Sequence, residues 1–169
     1  TPLGKLLRFN GDGTIPTDNP YYAQTTGLSR AIWARGLRNT FSFAIDNEHS
    51  RIIGHDVGSE EQGFEEVNDI IRGGNYGWPL HEGYSTETGF QTPLYAYSHA
   101  GADACTIGGV FYPHEQTHFP AGYRGRYFFA DFVHGWVKSM DLHATVPRDT
   151  LATFGTGLGN ITGMAMAAD

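Results

Sequence analysis

The sequence is poor in the things that define several protein classes. It has one cysteine, Cys105, so no disulfide can form within the chain. No run of eighteen apolar residues occurs, which excludes a hydrophobic membrane-spanning helix. Charged residues make up only 17% of the 169 residues, below the roughly 25% usual for soluble domains. Positive charge is the scarcer sign: 11 Lys and Arg stand against 18 Asp and Glu, a formal net charge of -7. Phosphate backbones need a basic face, so nucleic acid is not an expected partner. There is no GxSxG, no P-loop, no GxGxxG and no HExxH. The opening Thr1-Pro2-Leu3-Gly4 has no basic or apolar leader region and no initiator Met precedes it, so a processed, truncated or cleaved chain is expected.

What is abundant is glycine, with 23 residues, and aromatics at 14%. Glycine marks turns and aromatics favour strands, so the mixture predicts a β-rich fold with many loops. Strand-like runs are expected at residues 4–10, 32–35, 42–46, 51–57 and 65–71. More follow at 94–98, 108–112, 126–131 and 136–141, with a last pair at 151–154 and 163–167. Convincing helix is scarce. Residues 67–71 could form a turn of one, which Gly73-Gly74 ends. Loops are expected at 14–30 and 73–92.

The runs fall into two sets of four, 32–71 and 94–141. Each set has a strand ending in aspartate, Ile45-Asp46 in one and Ala130-Asp131 in the other. Four-strand units of about 40–50 residues are the signature of propeller blades. The fold class expected is all-β, a β-propeller of which this chain covers two to three blades, with residues 1–169 forming one partial domain. A propeller closes with four or more blades. The remaining blades are expected from further polypeptide or from another copy.

Three segments in order carry a resemblance. They are GKLLRFN at 4–10 with DGTIP at 12–16 and DNP at 18–20, IWARGLRN at 32–39, and EVN at 66–68 followed by GGNYGWP at 73–79. Together they resemble the glucose/sorbosone dehydrogenase family, and GRYFFAD at 125–131 is similar to a strand of its members. The resemblance implies a six-bladed propeller that oxidises an aldose at C1 by hydride transfer to pyrroloquinoline quinone. It implies calcium as a Lewis acid on the quinone, an external electron acceptor, and a periplasmic or extracellular location where calcium is abundant.

The resemblance also assigns residues. Arg38 matches an arginine beside the reactive carbonyl and Asn39 a cofactor-contacting amide. The bland reading pairs Arg38 with a loop carboxylate and has Asn39 cap a turn. Gly58 and Ser59 match backbone carbonyl ligands of the catalytic calcium, where the family has Gly-Pro; carbonyl ligands need no particular side chain. Glu66 and Tyr76 match the carboxylate and the carbonyl of a structural calcium, against a solvated strand edge for Glu65-Glu66. Tyr76, Trp78, Tyr84 and Trp136 are either packing between blades or a platform for a flat ring. His114 and His118 are loop residues, while His55, His81, His99 and His134 could line a central pocket. Cys105 carries no catalytic signature.

Two departures stand beside the resemblance. The family's histidine base lies upstream of the GKLLR segment. The family's quinone-anchoring basic residues have no counterpart in Gly159-Asn160-Ile161-Thr162-Gly163, and Lys138 and Arg148 are the nearest candidates. The alternative function is therefore a non-enzymatic propeller that binds carbohydrate or protein.

Overall fold

The computed structural model describes residues 2–99, 101–115 and 118–167. It has ten strands: β1 (Lys5–Leu7), β2 (Ile32–Arg35), β3 (Thr40–Asp46), β4 (Arg51–Asp56), β5 (Phe64–Asp69), β6 (Tyr95–Ser98), β7 (Thr106–Phe111), β8 (Tyr127–Asp131), β9 (Trp136–Met140) and β10 (Ala152–Gly155). Three short 3-10 turns are the helical elements among the described residues. The expected helical turn at 67–71 is absent, because Val67 and Asn68 belong to β5 and pair with β4.

The strands build two four-stranded antiparallel meanders, β3-β4-β5-β6 and β7-β8-β9-β10, and a small sheet of β1 and β2. The two meanders are the blades. They pack face to face through β3, β4 and β5 against β7. One contact is direct: the Gly108 amide donates to Ser42 Oγ at 2.7 Å. The shared core holds Ile53, Val67, Tyr127, Phe129, Met140 and Leu142. Alternation sets this up, since residues two apart on a strand face the same side. On β3, Ser42 and Ala44 turn inward, whereas Phe41, Phe43 and Ile45 are 62%, 53% and 53% exposed on the other face.

The blade grouping differs from the one expected. Residues 32–35 pair with β1 and lie outside the first blade. Residues 95–98 close the first blade as its outer edge instead of opening the second. The second blade is completed by β10, and residues 163–167 form no strand. The cause is the long connection between β5 and β6. Short links usually join neighbouring strands, so a long loop suggests a boundary, yet here it lies within one blade. The pairing of Asp46 with Asp131 fails for the same reason. Asp46 ends the first strand of its blade, and Asp56 is the counterpart of Asp131.

Candidate functional site at one end of the blades

Antiparallel pairing brings the start of β3, the end of β4, the start of β5, the end of β6 and the start of β7 to one end of the sheets. Arg38, Asn39, Gly58 and Ser59 all lie there. The organiser is Asp56, which is 5% exposed. Its carboxylate accepts from the Arg38 amide at 2.8 Å, the Asn39 amide at 2.8 Å and Thr40 Oγ1 at 3.0 Å. Burial outweighs these donors and the nearby Glu65 charge adds to it, so Asp56 is pushed up to about 6.

This cap fixes how the next two side chains are presented. Arg38 donates through Nη1 to the Val57 carbonyl at 2.9 Å, and its guanidinium lies 5.7 Å from the centre of the Trp78 ring. The expected alternative, an ion pair with a loop carboxylate, is not formed among the described residues. The carboxylate nearby binds the backbone of Arg38 instead. Asn39 is exposed, and its side-chain amide makes no hydrogen bond with the described residues. Its cap is also through the backbone. The remaining guanidinium N–H groups and the Asn39 amide are thus available at this end.

Gly58 and Ser59 follow β4. A Cβ on Gly58 would sit 2.0 Å from the Phe64 carbonyl oxygen, so only glycine fits. The Gly58 amide donates to Glu65 Oε1 at 2.9 Å. The Ser59 amide and hydroxyl donate to the two carboxylate oxygens of Glu82, at 2.8 and 3.0 Å. The Ser59 carbonyl accepts from the Gly63 amide at 2.9 Å. The Gly58 carbonyl accepts no hydrogen bond from the described residues.

Glu65 and Glu66 are not a solvated edge. Glu65 is fully buried and also accepts from His99 Nε2 at 2.8 Å and the Thr106 amide at 2.6 Å. It ties the first blade to the start of the second. Burial raises its carboxyl above the usual range. Glu66 is 4% exposed, accepts from Asn68 Nδ2 at 2.9 Å and from the Gly83 amide, and is pushed up to about 7 by burial, with the Asp56 and Glu82 charges adding. Beside it, Asn68 Oδ1 is buried without a partner. The Tyr76 ring packs with Ala34, Leu37 and Ile70, and its hydroxyl accepts from the Ile71 amide and donates to the Asp69 carbonyl. No hydrogen bond links Tyr76 to Glu66, so only its backbone carbonyl is left for a ligand role.

The other expected residues sort mostly into packing. His55 lines no pocket: it is fully buried between the blades, 3.0 Å from Thr106 Oγ1 and 2.7 Å from the Tyr127 hydroxyl, and burial pushes it down to about 3. His99 serves Glu65, His134 lies 3.1 Å from Asp131 and His81 3.1 Å from Glu87. His114 and His118 are in exposed loop positions. Trp136 packs edge-on against Phe129 and Tyr97, with Lys138 Nζ 4.2 Å from its ring centre. Arg148 stacks on Tyr84 at 5.0 Å. Of the four aromatics, Trp78 alone lies under Arg38. Cys105 is half-buried, and burial with the Glu65 and Asp131 charges pushes its thiol up to about 11, away from a reactive thiolate.

Asp56, Glu65 and Glu82 were not foreseeable as site residues. Each binds backbone amides distant in sequence, and no spacing rule marks such contacts.

The chain resembles known proteins along nearly all its length. The family described as Glucose / Sorbosone dehydrogenase matches residues 1–159. Over 104 residues it is 36% identical to the Quinoprotein glucose dehydrogenase B of Acinetobacter calcoaceticus, covering 62% of this chain and 20% of that protein. Over 165 residues it is 35% identical to the HIPL1 protein of Arabidopsis thaliana, covering 76% of this chain and 23% of that protein. Among solved structures, the PQQ-bound aldose sugar dehydrogenase of Streptomyces coelicolor superposes with a TM-score of 0.70 at 25% identity, over 95% of this chain and 42% of that one. The soluble aldose sugar dehydrogenase of Escherichia coli does so with a TM-score of 0.69 at 26% identity, over 92% and 45%. The chain thus spans about a fifth to a quarter of these curated relatives and under half of these solved chains. With its motifs, its two four-stranded blades and a match over residues 1–159, this chain belongs to the glucose/sorbosone dehydrogenase family.

Proposed function

We propose that the protein containing this chain oxidises an aldose at C1, with pyrroloquinoline quinone taking the hydride and an external acceptor taking the electrons. The observation that carries this reading is the Asp56 cap, which holds Arg38 and Asn39 at one end of the blades with unused donors. Those donors suit a flat, oxygen-rich acceptor: the guanidinium can stabilise charge developing on an oxygen, and the Asn39 amide can orient a carbonyl. Trp78 supports the guanidinium from below.

The same end fits a divalent cation. The Gly58 carbonyl is unengaged among the described residues, and the carboxylates of Glu65 and Glu82 fix the peptide units on either side of it. Hard cations take such oxygen donors. When bound, the quinone supplies the electron-accepting carbonyl and calcium supplies Lewis acidity. Gly58 and Ser59 are the carbonyls for that ion, although the Ser59 oxygen already serves the Gly63 amide. Glu66 with the Tyr76 carbonyl is the position for a structural calcium. The orphaned Asn68 Oδ1 beside Glu66 supports an ion there.

Residues 1–169 are in this reading one part of a propeller domain. Further blades cover the Phe41, Phe43 and Ile45 face and supply the general base. Location in the periplasm or outside the cell suits a calcium enzyme. No helix among the described residues is long and apolar enough to cross a membrane.

One observation favours the second reading, a propeller that binds carbohydrate or protein without catalysis. Residues 159–163 hold no basic residue, and Lys138 and Arg148 are occupied by aromatic rings. Three quinone carboxylates want cationic partners. Titrating the full-length protein with pyrroloquinoline quinone and calcium decides it. A saturable shift in quinone absorbance that Arg38→Ala weakens supports the dehydrogenase. No shift at high cofactor supports the binding protein.

A further inference from the structure

Two carboxylates hold the peptide units after β4, and each grips a different one. In a trans peptide the N–H and the C=O point in opposite directions. Cis geometry is confined to Trp78-Pro79 among the described residues, so this rule applies at Val57-Gly58 and at Gly58-Ser59. Glu65 takes the Gly58 N–H and thereby turns the Val57 carbonyl the other way, where Arg38 Nη1 meets it. Glu82 takes the Ser59 N–H and thereby turns the Gly58 carbonyl away from itself. Among the described residues that carbonyl has no hydrogen-bond donor.

Glu82 is itself held. Oε1 and Oε2 are both used, one by the Ser59 amide and one by its hydroxyl. Ser59 Oγ also accepts from the Gln62 amide at 3.0 Å, and Gln62 Oε1 accepts from the Glu82 amide at 2.9 Å. The result is a closed ring through residues 59, 62 and 82. The next residue, Gly83, donates its amide to Glu66. No basic side chain among the described residues forms an ion pair with Glu82, so its charge has no cationic partner and lies near Glu66.

We propose that Glu82 is a positioning residue for a divalent cation: by locking the Gly58-Ser59 peptide it aims the Gly58 carbonyl as a preformed ligand, and its unpaired charge strengthens the site. This rests on the calcium reading above. It gives a role to serine at position 59, whose N–H and hydroxyl are both used by Glu82. Groups that orient metal ligands from behind typically govern affinity by ten- to a hundredfold.

The test is calcium titration calorimetry on the cofactor-free full-length protein, in a Glu66→Gln background so that the second cation position does not contribute. Glu82→Ala is expected to weaken calcium by about tenfold or more, and Glu82→Gln, which keeps one acceptor and the volume, by less. Thermal melting in chelator should fall modestly for Glu82→Ala, which leaves the amide of buried Ser59 unpaired, and less for Glu82→Gln. Should Glu82→Ala not fold, Glu82→Gln carries the comparison alone, and a loss of affinity is still expected. Calcium binding unchanged in the folded variants overturns the positioning role while leaving the calcium reading intact. A parent protein that binds no calcium overturns the calcium reading, and this role with it.

Discussion

The two blades use the same device to different ends. In each, the second strand ends in a buried aspartate that caps the turn into the first strand. Asp56 accepts from the amides of Arg38 and Asn39. Asp131 accepts from the Cys105 amide at 3.1 Å, the Tyr97 hydroxyl at 2.6 Å and the His134 amide at 2.6 Å. The first cap presents a guanidinium and a free amide. The second presents no guanidinium, and its aspartate is bridged to the first blade by Tyr97, whose phenol is held protonated by burial and by that carboxylate. One cap therefore displays chemistry and the other clasps two blades together. The local geometry is shared, and the residues that ride on it decide the outcome.

The comparison can be broken in four ways, taken from the largest expected effect. Phe129 is fully buried in the core between the blades. Phe129→Ala should cost about 3–5 kcal/mol of stability in denaturant unfolding. Phe43→Ala on the open face of β3 should cost under about 0.5 kcal/mol if that face stays exposed, and several times more if other blades cover it in the full-length protein. A small effect there would argue against the propeller assignment of that face.

Next come the two caps. Asp56→Ala and Asp131→Ala each remove a buried carboxylate and leave part-buried amides unpaired, so each should cost about 1–3 kcal/mol. They should part in function: Asp56→Ala also loosens Arg38 and weakens quinone binding, whereas Asp131→Ala leaves it as it was. Equal effects on quinone titration would erase the distinction between display and clasp. Arg38→Ala should lower quinone affinity by about tenfold, as the loss of a charge-assisted hydrogen bond would, with little change in melting temperature.

The smallest effect is a pH dependence. Asp56 and Glu66 are carboxyls whose folded values are raised, to about 6 and about 7, above ordinary values of 3.8 and 4.5. The folded state then holds protons that the unfolded state has lost. Their contribution is fully present below pH 3.8 and is lost as pH rises through about 7. Metal-free protein should therefore lose stability over that window, and Glu66→Gln should flatten the slope. Calcium should flatten it too by stabilising the ionised forms. A slope of the opposite sign would show that these carboxyls are not desolvated as the fold places them.

Much of the strand pattern could be read without coordinates. The expected runs at 51–57, 126–131 and 136–141 coincide within a residue or two with β4, β8 and β9. Alternating apolar positions and flanking glycines are local signals, and strands obey them. Grouping into blades could not be read so well, because the connection from residue 70 to 94 hides the fact that β6 returns to β5. Arg38 and Asn39 were reachable through the IWARGLRN motif. Their support was not, since Asp56 binds them through backbone amides that any residue carries.

The sequence by itself determined an all-β chain of short strands with glycine turns, and through three ordered motifs its family. Both follow from local preference and residue identity, which are present in the chain before it folds. Only the tertiary structure decided which strands share a blade, that Glu65 and Glu66 are buried, that His55 is a neutral core residue, and that Glu82 grips Ser59. Those are contacts between distant segments, and their energies depend on burial and on the direction of particular N–H and C=O groups, which exist only once the sheets have packed.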